Sequence, residues 1–149
     1  MSVLQSTFNE DIPYGYPGME ADGELSNAIS RILEGATAAA FGRPVYAGVA
    51  DRGASLTVSA ALIGFTIAKK GNVVTPNRAA DTYAPGDVFP VKERGKIWVA
   101  STTAAAKRDP VYVTAAGAIT NVATGNTAAT GWVFDDTITA AGNVRIVRR

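Results

Sequence analysis

This sequence predicts an all-β fold: a single compact barrel- or sandwich-like domain behind an extended N-terminal arm. Three observations carry that reading. After about residue 25, short apolar runs are cut by Gly, Pro, Asn or Asp roughly every 8 to 12 residues, the rhythm of strands joined by turns. The opening "NEDIPYGYPGMEADGELSN" (9–27) crowds two tyrosines, two prolines, three glycines and five acids together with no hydrophobic period. A length of 149 residues suits one domain with a real core and no need of disulfide or metal staples.

Residues 1–27 are therefore expected to form the arm and 28–149 the body. Phe8, Tyr14 and Tyr16 lie where their own chain offers little to bury them, and an aromatic gains a large contact area for few frozen rotamers. With Pro17 and Met19 they are the expected anchors on another subunit, either a neighbouring copy or a different partner protein, the alternative being an arm folded back on its own body. Residues 1–34 hold six acids against one base, a net of −5, and the remainder nets +6. An acidic arm and a basic body attract each other, within one subunit or between two.

"LSNAISRILEG" (25–35) fits two patterns. Leu25, Ile29, Ile32 and Leu33 share a helix face closed by Gly35, whereas Ile29, Arg31 and Leu33 share a strand face. The β character downstream favours the strand. Further strands are expected at 44–50, 62–68, 88–93, 96–101, 110–115, 132–136 and 143–148. "ERGK" reads as a tight hairpin between two of them, because Gly95 accepts the positive φ such turns need. "NVRIVR" (143–148) presents mixed faces, as a final edge strand would. Tyr46, Phe65, Phe89, Trp98, Tyr112, Trp132 and Phe134 are the expected core aromatics.

Chemistry is sparse. With no cysteine there is no disulfide, thiolate site or cysteine nucleophile. With no histidine the commonest general base and metal ligand is gone. Asp81 and Asp87 lack the dense spacing of a calcium loop and read as turn residues. Asp51–Arg52 reads as a turn or surface pair. Asp135 and Asp136 are adjacent, so on a strand they face opposite sides and cannot work one substrate together. No catalytic, cofactor or metal site is expected, and no enzyme. The bases are scattered rather than clustered with aromatics, which argues against a nucleic-acid face. No run of about 18 apolar residues is present, and the start lacks a secretory pattern, so no membrane partner is expected and synthesis in a cytosol is.

In order along the chain stand Tyr16-Pro17-Gly18-Met19, Phe41-Gly42, "PGDVFPV" (85–91), "GKIWV" (95–99) and "DPVY" (109–112). This ordered series resembles the tailed-phage capsid cement (decoration) proteins, from about residue 14 to the end. The resemblance implies a β-barrel-like subunit that forms homotrimers on the outer capsid surface of the virion. There it would clamp neighbouring major capsid proteins, after synthesis in the bacterial host cytoplasm. The segments 69–84 and 115–130 depart from the pattern. The alternative is a receptor- or carbohydrate-binding β-module of a tail fibre or surface adhesin, although such modules usually sit in longer chains with repeats or a stalk.

Overall fold

A computed structural model describes residues 15–69 and 79–149. Its eleven strands are β1 (Asn27–Leu33), β2 (Ala39–Ala40), β3 (Pro44–Ala47), β4 (Gly53–Ser55), β5 (Leu62–Thr66), β6 (Thr82–Tyr83), β7 (Val88–Ser101), β8 (Pro110–Val113), β9 (Ile119–Thr120), β10 (Thr127–Phe134) and β11 (Gly142–Arg148). The fold is all-β, as expected, and 25–35 resolves to a strand in which Ile29, Arg31 and Leu33 turn inward.

The strand pairings close on themselves twice, and β7 belongs to both closures. Its first half completes the ring β1-β4-β3-β5-β7 and its second half the ring β7-β11-β10-β8-β9. Each ring holds its own apolar cluster. Leu33, Phe41, Val45, Tyr83, Phe89 and Val91 fill the first. Ile97, Val99, Val113, Trp132, Phe134 and Ile146 fill the second, where Phe65 from β5 meets the Trp132 indole edge-on at 4.8 Å. Closing the sheet removes the free edges that thin, alanine-rich strands would otherwise expose. Arg43 fastens one ring to the other by donating from Nη2 to the Ala116 carbonyl at 2.8 Å.

Three local expectations are corrected. "ERGK" is not a hairpin, since β7 runs unbroken through it for 14 residues. Gly95 does take a positive φ of 102°, but it serves a bend beside a register shift between Asn27 and Ala28, where the strand passes from one ring to the other. The last strand is not an edge. β11 lies between β7 and β10, and Val144, Ile146 and Val147 are all buried. The strand expected over 44–50 stops at Ala47, because the Glu34 carboxylate accepts from Val49 N (2.8 Å) and Ala50 N (2.9 Å) and turns the chain there.

Trp98 is a fourth correction. Ile97, Val99 and Ser101 point inward, so the alternation of a strand sends Trp98 to the outer face, half-buried. Tyr112 is likewise half-buried, and the other five aromatics expected inside are there.

Candidate interaction surface

The N-terminal segment meets the body along β7. Trp98 offers both its N–H and its carbonyl to one side: Gly18 N donates to Trp98 O (2.8 Å), and Trp98 N donates to Met19 O (2.9 Å). Glu20 bridges Ile97 in antiparallel fashion, and Ala21 N reaches Lys96 O at 3.4 Å. Residues 18–21 thus lie on the edge of β7 that β11 does not use, in line with β1 further along. On the far side Ala68 N donates to Gly18 O at 2.8 Å. The segment is in effect a strand that completes the ladder.

The motif residues explain how it sits there. Met19 N donates to Tyr16 O at 3.0 Å, with Pro17 and then Gly18 (φ 84°) between, the order that a type II turn requires. Gly18 packs backbone to backbone on Gly42 (φ 70°): a Cβ on Gly42 would lie 2.7 Å from Gly18 N. Gly15 lies on the Trp98 indole with no room for a Cβ, and Asn143 Nδ2 donates to its carbonyl at 3.0 Å. Tyr-Pro-Gly-Met, Phe-Gly and the Ile-Trp-Val strand, far apart in sequence, therefore converge on one contact.

Charge reinforces it. Glu20 pairs with Lys92, whose side chain is 2% exposed while that of Glu20 is 53% exposed. Lys96 Nζ stands 3.0 Å from Asp22, 3.2 Å from Asp135 and 3.5 Å from Glu24, and Glu24 also holds Arg149 at 3.1 Å. The attraction expected between an acidic arm and a basic body operates here within one chain. Asp22 is held below the ordinary carboxylate range by the Glu24 amide first and then by Lys96. Lys96 is correspondingly raised, first by its bond to Asp22 and then by that to Asp135. On the outer face Arg145 lies 5.8 Å over the Trp98 ring and clasps Asp136 through two hydrogen bonds of 2.6 Å.

The expected site residues fare unequally. Tyr16 stands out from its turn, 43% exposed, beside a shallow cleft that it lines with Pro17, Phe41 and Asp81. Pro17 and Met19 are half-buried. Phe8 and Tyr14 lie outside the described residues. Residues 18–21 lie along the β7 edge of their own chain at 96–98 and supply its backbone partners. The sequence reading missed the receiving residues Lys92, Lys96 and Trp98. A lysine inside the "FPVKERGKIWV" strand pattern, facing an acidic N-terminal segment, was the available signal.

Three further acids close turns. Asp87 accepts from Ala84 N, Asp109 from Ala106 N and Asn121 Nδ2, and Glu34 as described. Among the described residues no three acidic side chains converge as metal ligands would. Asp22, Glu34, Asp109 and Asp136 all carry depressed values, the last through Arg145. The stability they contribute is fully present above their unfolded values of about 4. It is lost as pH falls through the lower folded values. The melting temperature should stay nearly level from pH 7 to about pH 5 and fall steeply below about pH 4. Thermal melts across that range check this, and Glu34→Gln should make the acid slope shallower.

The described residues form a closed all-β body whose Tyr-Pro-Gly-Met, Phe-Gly and Ile-Trp-Val motifs are spent on backbone contacts. The sequence model for the structural cement proteins (E217 gp24/Pam3 gp6) matches residues 4–149. The chain belongs to that family, and so to the capsid-associated structural proteins of phage virions. Among solved structures it is similar to a chain of the capsid of Myoviridae phage XM1, at 19% identity and a TM-score of 0.73, with 99% of this chain and 97% of that one covered. Among curated proteins no sequence matches it significantly.

Proposed function

We propose that the chain is a cement protein of the outer head surface, bound as homotrimers that stabilise contacts between major capsid proteins. The observation that carries this reading is the display of Tyr16. A large aromatic stands exposed on a turn whose backbone is pinned to Trp98 and Gly42, so docking it freezes little further freedom. Family membership supplies the partner class, and the trimer rests on the resemblance alone. Phe8, Tyr14, Pro17 and Met19 extend the same contact, either to a neighbouring copy or to the capsid protein beneath. Many copies on one head multiply a modest single contact by avidity. The role needs no cofactor, metal, nucleic acid or membrane, and no turnover.

Purified protein added to bare expanded heads should bind at a fixed ratio to the major capsid protein and raise the temperature at which the heads disrupt. Tyr16→Ala should weaken binding by about 2 kcal/mol per site while leaving the monomer's melting temperature close to that of the parent. Undiminished occupancy with Tyr16→Ala would remove that residue from the interface. Failure of the parent protein to bind any head would remove the function.

A further inference from the structure

We propose that the cleft beside Leu25 receives the acidic N-terminal segment of a second copy of this chain. The inference rests on the oligomeric part of the reading above and names the contact that joins the copies.

Leu25 is 99% exposed, yet it is not on a loose loop. Glu24 before it is held by Lys96 and Arg149, and Asn27 after it donates from Nδ2 to Glu93 at 2.6 Å. Ser26 lies so close to Gly95 that a Cβ there would come within 2.6 Å of the serine Cβ. A leucine fixed on both sides and turned fully to solvent is an apolar contact prepared for something outside this chain's described residues.

Around it opens a cleft of about 510 Å³ whose basic wall is Arg94, Arg148 and Arg149. Its one acid, Glu24, is already engaged. Arg94 and Arg148 form no ion pair among the described residues, which leaves two positive charges beside an apolar knob. The fitting occupant carries two carboxylates next to an apolar side chain. Residues 1–14 hold Glu10 and Asp11, no base, and Ile12 directly after them.

Direction decides whose segment it is. From Glu24 back to Gly15 the chain runs along β7 away from the cleft, ending against Trp98 and Asn143. Arg148 pairs with Gly95 and Asn143 with Ala100, so the two ends lie five ladder positions apart, about 16 Å. The described chain thus ends at Gly15 on the side remote from the cleft, and a neighbouring copy is the source we assign to the occupant. An arm passed from each copy to the next can close a ring.

The test uses the free full-length protein with no heads present, so it stands or falls apart from capsid binding. Self-association is measured by sedimentation velocity for the parent, for Arg94→Glu with Arg148→Glu, for Glu10→Arg with Asp11→Arg, and for all four changes together. Each pair of reversals should weaken association by about 10-fold or more, and the fourfold variant should regain most of it, because the charges are exchanged rather than lost. Far-UV circular dichroism checks that each variant folds. A monomeric parent, association indifferent to either reversal, or a fourfold variant weaker than both pairs would overturn the proposal. If the arginine reversals spare association, a separate head-binding assay of the same variants follows, and loss of binding there would assign the cleft to the capsid protein.

Discussion

Trp132→Ala should cost about 3–5 kcal/mol of folding stability, the range for truncating a large buried aromatic. The indole is 1% exposed, fills the second ring and meets Phe65 of the first, so its removal opens a cavity where the two closures abut. Urea denaturation followed by circular dichroism measures it. Trp98→Ala is the informative partner, since Trp98 is half-buried on the outer face and should cost only about 1–2 kcal/mol. Its main effect should be to unseat residues 15–18, seen as faster proteolysis near the N-terminus. If the two tryptophans proved equal in cost, the assignment of inner and outer faces along β7 would be wrong.

Glu20→Ala should cost about 2–3 kcal/mol by leaving the Lys92 amine at the end of a buried stem without its counter-charge. This is below the ~3–5 of a fully enclosed pair, because the half-exposed Glu20 side chain marks a route by which water can reach the amine. Lys92→Met should cost less than Glu20→Ala, and the double variant less than the sum of the two, since Met fills the stem's volume and needs no partner. Additive losses in that cycle, measured by chemical denaturation, would show that the pair is incidental. Functionally, Glu20→Ala should weaken head binding more than its stability loss explains if the seated segment presents Tyr16.

What could be read from the sequence was whatever local chemistry dictates. Periodicity over 25–35 left helix and strand open, and the β character around it favoured the strand that forms. The separated charges implied an attraction that the ion pairs now localise. What could not be read was what depends on partners distant in the chain. Gly95 looked like a hairpin because a positive φ serves a turn and a strand bend equally, and only the strands on either side of β7 distinguish them. "NVRIVR" looked like an edge because its last position cannot reveal insertion between β7 and β10. Trp98 looked like core because large aromatics usually are, whereas its covering is the segment Gly15–Met19. The exposed but fastened Leu25 was invisible, since its anchors lie at Lys96 and Arg149.

The double use of β7 sets the order in which the chain can fold. Neither ring closes before β7 exists, and the contacts of the opening segment span long stretches of sequence, 72 residues from Glu20 to Lys92 and 128 from Gly15 to Asn143. Such a topology places folding among the slower β proteins, in the millisecond-to-second range. At ordinary ribosomal speeds of about 5–20 residues per second, the first-made residues wait roughly 6–25 s for the last of their partners. For that interval the segment that will cover β7 must stay extended without pairing elsewhere. Its prolines, glycines and like-charged acids are the composition that keeps a nascent strand from joining the wrong sheet.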